Sequence, residues 1–309
     1  SDNKYIKFFE EHIKLLCNND ITASNYLIKY IADLIQNPHI LPEVAVVMCG
    51  GKGVGKDLLI DILVKLIGHE YSTRTQSFGT LFGNFNSAVK NKLIIQLNEV
   101  SGGDGFKQKE ELKDFITKKK ITINEKMLKP FDLNNYARLF ISCNNNNPIE
   151  ITSDNRRYFV IEAGEKQNPN YYDNMYNNVL GNEEAMNTIF NYLYKYDITE
   201  FTIKKFPITH KMKKMQEHNV NPIYYFLKDT ITNSEFINGK TMFHLYTNYL
   251  ENEGYSTSNC NPRSMKSILV NIPNNAITYI IKKVNGKTER GYDIRRWALY
   301  DELIKLVDL

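Results

Sequence analysis

The chain has 309 residues, 42% of them apolar, and a net charge of +4: enough for one large or two modest domains, but too little charge to establish a nucleic-acid partner by itself. No segment reaches the ~18 to 20 uninterrupted apolar residues of a membrane span, and the charged start "SDNKYIKFFEEH" is not a signal peptide, so the reading is a cytoplasmic protein without a membrane partner. Cys17, Cys49, Cys143 and Cys260 show neither C-x-x-C nor Cys/His spacing, which argues against a disulfide framework and against a zinc site. The chain begins with Ser1 rather than Met, as expected of a piece of a longer protein, and its many Tyr, Asn, Lys and Ile residues fit an AT-rich genome.

Tyr5, Phe8, Phe9, His12, Ile13 and Leu16 fall on one helical stripe, and Tyr26, Leu27, Tyr30, Ile31, Leu34 and Ile35 on a second, so residues 1–38 read as a helical N-terminal segment. The prolines of "QNPHILP" end it. Three β-branched apolar runs follow, "EVAVVMC" (43–49), "KLIIQLN" (92–98) and "ARLFISC" (137–143), with helices expected over 57–67 and 107–118. A fourth run is "RRYFVIE", and a helix is expected over 182–196. Apolar strands alternating with helices predict an α/β core, a parallel sheet covered by helices, over 39–205. A connector spans 206–221. Residues 222–309 show helices at 223–230, 241–251 and 262–272, then two strand-like runs around "NGK", the pattern of a winged-helix-like DNA-binding domain.

The chemistry centres on "GGKGVGKD", which lies between an apolar strand and a helix. Gly50, Gly51, Lys52, Gly53, Val54, Gly55, Lys56 and Asp57 match the phosphate-loop pattern, apart from Asp57 where Ser or Thr would hold magnesium. Glycines let backbone N–H groups face the phosphates, and Lys56 neutralises their charge. The strand "LIIQLNEV" supplies Glu99 to orient water, but Asn98 stands at the position of the expected magnesium carboxylate. Together the two departures suggest a charge swap, with Asp57 binding Mg²⁺ directly or through water and Asn98 as its neutral partner; Asp57, Asn98 and Glu99 are the candidate metal residues. The alternative is a site that binds nucleotide and hydrolyses it poorly.

Asn144, at the tip of "FISCN", is a candidate phosphate sensor, and Arg156 and Arg157 are candidates for stabilising phosphoryl-transfer charge. Lys118, Lys119, Lys120, Lys126 and Lys129 lie in and around an expected hairpin between the second and third core strands, where they could follow a phosphate backbone; a solvated lysine cluster is the competing reading. In the tail, Arg263, Lys266, Lys282, Lys283, Lys287 and Arg290 are candidate duplex contacts, against the alternative of a small packing or oligomerisation domain.

In this order, "GGKGVGKD", "LIIQLNEV", "ITINEKMLKPF", "FISCN" and "SDNRRYF" resemble the superfamily 3 helicases, in particular poxvirus-type and phage or mobile-element primase-helicases. The flanks "IADLIQNP" and "FPITHKMKKM" add to the likeness, which runs from about Asp20 to Lys228. The resemblance implies an AAA+ type core forming a ring, commonly a hexamer, with ATP and Mg²⁺ between subunits and single-stranded DNA in the channel, translocating 3′ to 5′. It makes Lys56, Glu99 and Asn144 the residues around the phosphates, Arg156 or Arg157 a finger acting on the neighbouring subunit, and Lys126 and Lys129 the first DNA contacts. Duplex origin DNA is a further expected partner of the C-terminal domain. The rival class is an ATP-binding origin-recognition or assembly protein with little motor activity. No primase domain fits within these residues.

Overall fold

The computed structural model describes residues 3–98, 109–144, 149, 151–152, 154–219, 221–230, 236–253, 257 and 260–307. It divides into two compact units, Ser1–Gln216 and Glu217–Leu309.

In the first unit, two helices, α1 (Lys4–Leu16) and α2 (Ile21–Gln36), precede β1 (Ala45–Cys49). Asn3 and Asp20 begin them, each side chain accepting a backbone N–H of the first turn. After β1 come α3 (Lys56–Ile67), β2 (Ser72–Thr75), α4 (Phe78–Phe82), β3 (Ile94–Asn98) and α5 (Lys109–Thr117). A hairpin of β4 (Lys120–Ile123) and β5 (Phe131–Asn134) leads to β6 (Arg138–Cys143) and β7 (Tyr158–Glu162). The unit continues with α6 (Pro169–Asn174), a wider π-type turn over Met175–Leu180, α7 (Glu183–Tyr194) and α8 (His210–Asn219), and the division between the units falls within α8.

Five strands form one parallel sheet in the order β2-β3-β6-β1-β7. Alternation along each strand sends Val46, Met48, Ile94, Phe140 and Phe159 to one face, where they pack with α1, α2, α3 and α7. Ala45, Val47, Ile95, Leu97, Leu139, Ile141 and Val160 face the other side, against Phe78, Leu112, Phe115, Met212 and Met215. The sheet is therefore covered by helices on both faces, which is why its central strands read as unbroken apolar runs. The two N-terminal helices belong to this packing: Phe9, Ile13 and Leu27 are fully buried, each worth about 1.5–3 kcal/mol of transfer free energy.

An ion pair lies inside this face. Arg138 is fully buried on β6, pairs with Asp33 of α2 at 2.7 Å and lies 5.2 Å from the Tyr30 ring centre. Edge strand β2, "STRT", has no apolar alternation and is a strand because it pairs with β3, Ser72 opposite Ile94. Sequence pattern alone gives no sign of it.

The second unit contains α9 (Pro222–Thr230), β8 (Phe236–Asn238), α10 (Gly239–Asn252), α11 (Pro262–Val270), β9 (Ile277–Val284), β10 (Lys287–Ile294) and α12 (Arg296–Val307). Its sheet has the order β8-β10-β9, so the two-stranded ribbon expected from the sequence carries a third, short strand. Asn285 and Gly286 join β9 to β10 with φ of 49° and 79°, the paired positive angles of a two-residue hairpin turn. Phe226, Met242, Leu269, Ile277 and Tyr292 form its core.

Candidate nucleotide site

Strand register builds the site. Cys49 at the end of β1 lies opposite Cys143 at the end of β6, and Ser142 of β6 lies opposite Asn98 at the end of β3. The residues just beyond, Gly50 and Asn144, therefore emerge side by side at the carboxyl edge of the sheet, the edge at which open α/β sheets bind ligands. The glycine-rich turn carries the chain from β1 into α3, whose first residue is Lys56. Gly55 has a φ of +97°, and a methyl group on it would meet His12 Cε1 at 2.4 Å. Both the backbone angle and the neighbour exclude a side chain there.

Lys56 is 8% exposed, and its ammonium group turns back over the loop. Nζ donates to Gly50 O at 2.6 Å, Gly51 O at 2.8 Å and Asn144 Oδ1 at 3.1 Å. Burial lowers its pKa from the ordinary lysine value. A cavity of about 630 Å³ opens here, lined among others by Lys52, Gly53, Val54, Gly55, Lys56, Asp57, Asn98, Ser142 and Asn144. Of the sequence candidates, the glycine-rich turn, Asp57, Asn98 and Asn144 thus come together. Glu99 lies outside the described residues.

Two residues missed in the sequence hold this site from beneath. Gln96 is fully buried in β3, and its Nε2 donates to Asp57 Oδ1 at 2.7 Å and to Ser142 Oγ at 3.1 Å. The group bonded to Asp57 is thus Gln96, while Asn98 Oδ1 is buried with no hydrogen-bond partner among the described residues. A glutamine inside an apolar strand buried on both faces was the available signal. His12 is the second: on its stripe it reads as a core position, yet Nε2 lies 3.0 Å from Gly55 O and Nδ1 3.0 Å from Tyr171 Oη. The carbonyl only accepts, so Nε2 carries the proton and Nδ1 accepts from the tyrosine hydroxyl. Burial lowers the His12 pKa to about 4, keeping the ring neutral at pH 7.

The arginines lie elsewhere in the sheet. Arg157 precedes β7, and its carbonyl accepts from Ala45 N, at the start of β1, at 2.7 Å. The glycine-rich turn follows the other end of β1, four residue steps away, about 13 Å along the strand. Arg156 is exposed, and Arg157 Nε is buried without a partner among the described residues. Neither reaches Lys56 within one chain.

The lysine candidates are spread over two surfaces. The β4–β5 hairpin is anchored by buried Ile121 and Ile123, and its tip exposes Lys126, Met127, Leu128 and Lys129. Lys120 is exposed at its base, where Lys119 is exposed too, and Lys118 pairs with Asp114 at 3.4 Å. In the second unit Arg263 is exposed at the start of α11, and Lys266 lies over the Tyr279 ring at 3.6 Å. The β9–β10 register puts Lys283 and Arg290 on one face of the ribbon and Lys282 and Lys287 on the other, so these cations do not form a single patch.

Residues 48–157 match the model of a family of unknown function, DUF5906, a span that contains the glycine-rich turn, Asn98 and Asn144. The chain is 30% identical over 191 residues to the DNA primase-polymerase of Nitratiruptor phage NrS-1, a match covering 59% of this chain and 26% of that protein. The chain is homologous to part of that protein. Two apo structures of the NrS-1 C-terminal region superpose with a TM-score of 0.70 at 22% and 23% identity, covering 94% of this chain and 76% of theirs. At that identity the likeness shows the shared fold. Among the described residues no helix is long and apolar enough to cross a membrane.

Proposed function

We propose that this chain is the motor part of a phage or mobile-element replication protein: a P-loop NTPase of AAA+ type that uses ATP and Mg²⁺ to translocate on single-stranded DNA. The observation that carries this reading is Lys56, whose three donors are held by two loop carbonyls and Asn144 at the mouth of a 630 Å³ cavity. Those acceptors occupy the places that phosphate oxygens take when a nucleotide binds. The homology to a phage primase-polymerase supports a role in DNA replication.

The residues present fit ATP and Mg²⁺. The turn 50–55 and the start of α3 supply backbone N–H groups and a positive helix end for phosphate. Asp57 is exposed at the cavity with one oxygen tied to Gln96, and the unpartnered Asn98 Oδ1 offers a further oxygen. Among the described residues there is no cluster of three His, Cys, Asp or Glu side chains that could hold a metal. A magnesium ion held by one carboxylate, phosphate oxygens and waters needs none. Bound Mg²⁺ supplies charge neutralisation for phosphoryl transfer. For the chain's own part, Lys56 neutralises phosphate charge, Asn144 senses it, and Glu99 orients water. Arg156 or Arg157, remote from Lys56 in its own chain, serves the site of a neighbouring subunit in a homo-oligomeric ring, a hexamer.

In this reading Lys126 and Lys129, with Lys120 behind them, grip single-stranded DNA. The second unit acts as a winged-helix-like domain whose Arg263, Lys266 and Lys283 contact duplex phosphates. Asn98 in place of a carboxylate favours a second reading, an ATP-binding origin-recognition or assembly protein with slow turnover. ATP hydrolysis with and without single-stranded DNA separates the two. DNA-stimulated hydrolysis that is lost in Lys56→Ala and Glu99→Gln is the expected result; ATP binding without metal-dependent turnover removes the motor.

A further inference from the structure

The cavity extends beyond the glycine-rich turn. At about 630 Å³ it lies in the ~300–1,000 Å³ range of pockets that hold whole small-molecule ligands. Leu58 and Gln76 also line it, and a further wall comes from the segment after β7: Lys166, Pro169, Tyr172, Asp173 and Tyr176. This wall has two kinds of surface. A methyl on Gly53 would meet Lys166 Cε and Nζ at 3.2 Å, so a second ammonium lies against the turn. By Gly55 the wall is aromatic: Tyr172 Cε1 is 3.4 Å from the corresponding methyl position.

Tyr172 is braced. Its hydroxyl accepts from Gln167 N at 3.1 Å, and its ring meets Tyr171 in a T-shaped contact at 5.1 Å. Tyr171 in turn bonds His12, which bonds the Gly55 carbonyl. The wide turn at Met175–Leu180, closed by Gly181 N to Tyr176 O at 2.8 Å, buries Met175 and Val179 in the core and fixes the far end of the segment. Tyr172 is half-buried: one part of the ring packs against the core beneath it, and the braced remainder lines the cavity beside a phosphate-type turn, where it offers an aromatic surface to a flat aromatic ligand.

We propose that Tyr172 is the nucleobase platform of this site: the base of a nucleoside triphosphate stacks on its ring while the phosphates lie along the turn between Lys56 and Lys166. This rests on the nucleoside-triphosphate reading of the same cavity and adds the group that distinguishes a nucleotide from bare polyphosphate. Stacking uses the face that every base has, so the platform holds the base without reading its edge.

The test is titration calorimetry of the full chain with Mg²⁺, using ATP and inorganic tripolyphosphate as separate probes. Tyr172→Ala is expected to weaken ATP about tenfold and to leave tripolyphosphate within twofold, which also shows that the turn is folded. Tyr172→Trp is expected to keep ATP binding. Lys56→Ala is expected to weaken both probes. Equal effects of Tyr172→Ala on ATP and tripolyphosphate, or no effect on either, overturn the platform while a Lys56-dependent phosphate site stands. Unchanged binding of both probes to Lys56→Ala overturns the nucleotide site itself.

Discussion

The most prominent polar residues of the two units are placed differently. In the first, Lys56, Gln96, His12 and Arg138 are buried, and each bonds at least one partner from a distant part of the chain. In the second, Arg263 to Arg296 holds eight Lys or Arg against two Asp or Glu, and Lys282, Lys283, Lys287 and Arg290 are all exposed. The first arrangement is a set of buried pairings, in each of which removing one partner strands the other. The second is an electrostatic surface whose members act nearly independently.

Breaking the buried pair gives the largest expected effect. Asp33→Ala leaves Arg138 charged and buried, and should cost about 3–5 kcal/mol in denaturant unfolding followed by circular dichroism. A cost below about 1 kcal/mol would mean that Arg138 finds water or another acceptor. Next is Lys56→Ala, which under the proposed ATPase reading should lower the ATP turnover rate by about 10²–10³-fold, the range for removing one preorganised donor. A residual rate near that of the unaltered chain would mean that the buried Lys56 contacts play no part in turnover.

The His12 pKa gives a pH signature. The folded-state value, about 4, lies below the ordinary histidine value of 6.5, so the folded unit resists a proton that the unfolded chain accepts. Its contribution is fully present above pH 6.5 and falls away as pH drops toward 4, by up to about 3 kcal/mol. Unfolding measured from pH 7 to 4 should show this loss, and His12→Asn should flatten that part of the curve. At the small end is the second unit. Lys283→Ala should change folding stability by less than about 0.5 kcal/mol and, if the lysine meets duplex phosphate, reduce the salt slope of DNA binding by about 1. Strong non-additivity between Lys283→Ala and Arg290→Ala would remove the contrast between the units.

The elements carrying the site were largely visible in the sequence, and their relations were not. "GGKGVGKD" states its own geometry, because glycines at these spacings permit a turn closed to other residues, and the flanking apolar run and helix supply its context. "NGK" likewise announces the ribbon. Asn98 and Asn144 were readable as strand-end residues. Gln96 is not legible in this way, because an apolar strand with one polar residue gives no sign of what that residue meets. Tyr172 lay in a stretch rich in Asn, Tyr and Asp, where nothing local marks a wall.

Local devices are written into the chain: apolar strands, amphipathic helices, the glycine-rich turn, the lysine hairpin and the two-residue ribbon turn. Each depends on backbone angles or side-chain periodicity within a few residues. Tertiary structure alone decided that β6 lies between β1 and β3, bringing Asn144 to Lys56, and that His12 supports Gly55. It also decided that Arg156 and Arg157, just before β7, lie at the opposite edge of the sheet from the turn. Strand order and register are long-range choices, made by the burial of both sheet faces at once, and no short stretch of sequence contains them.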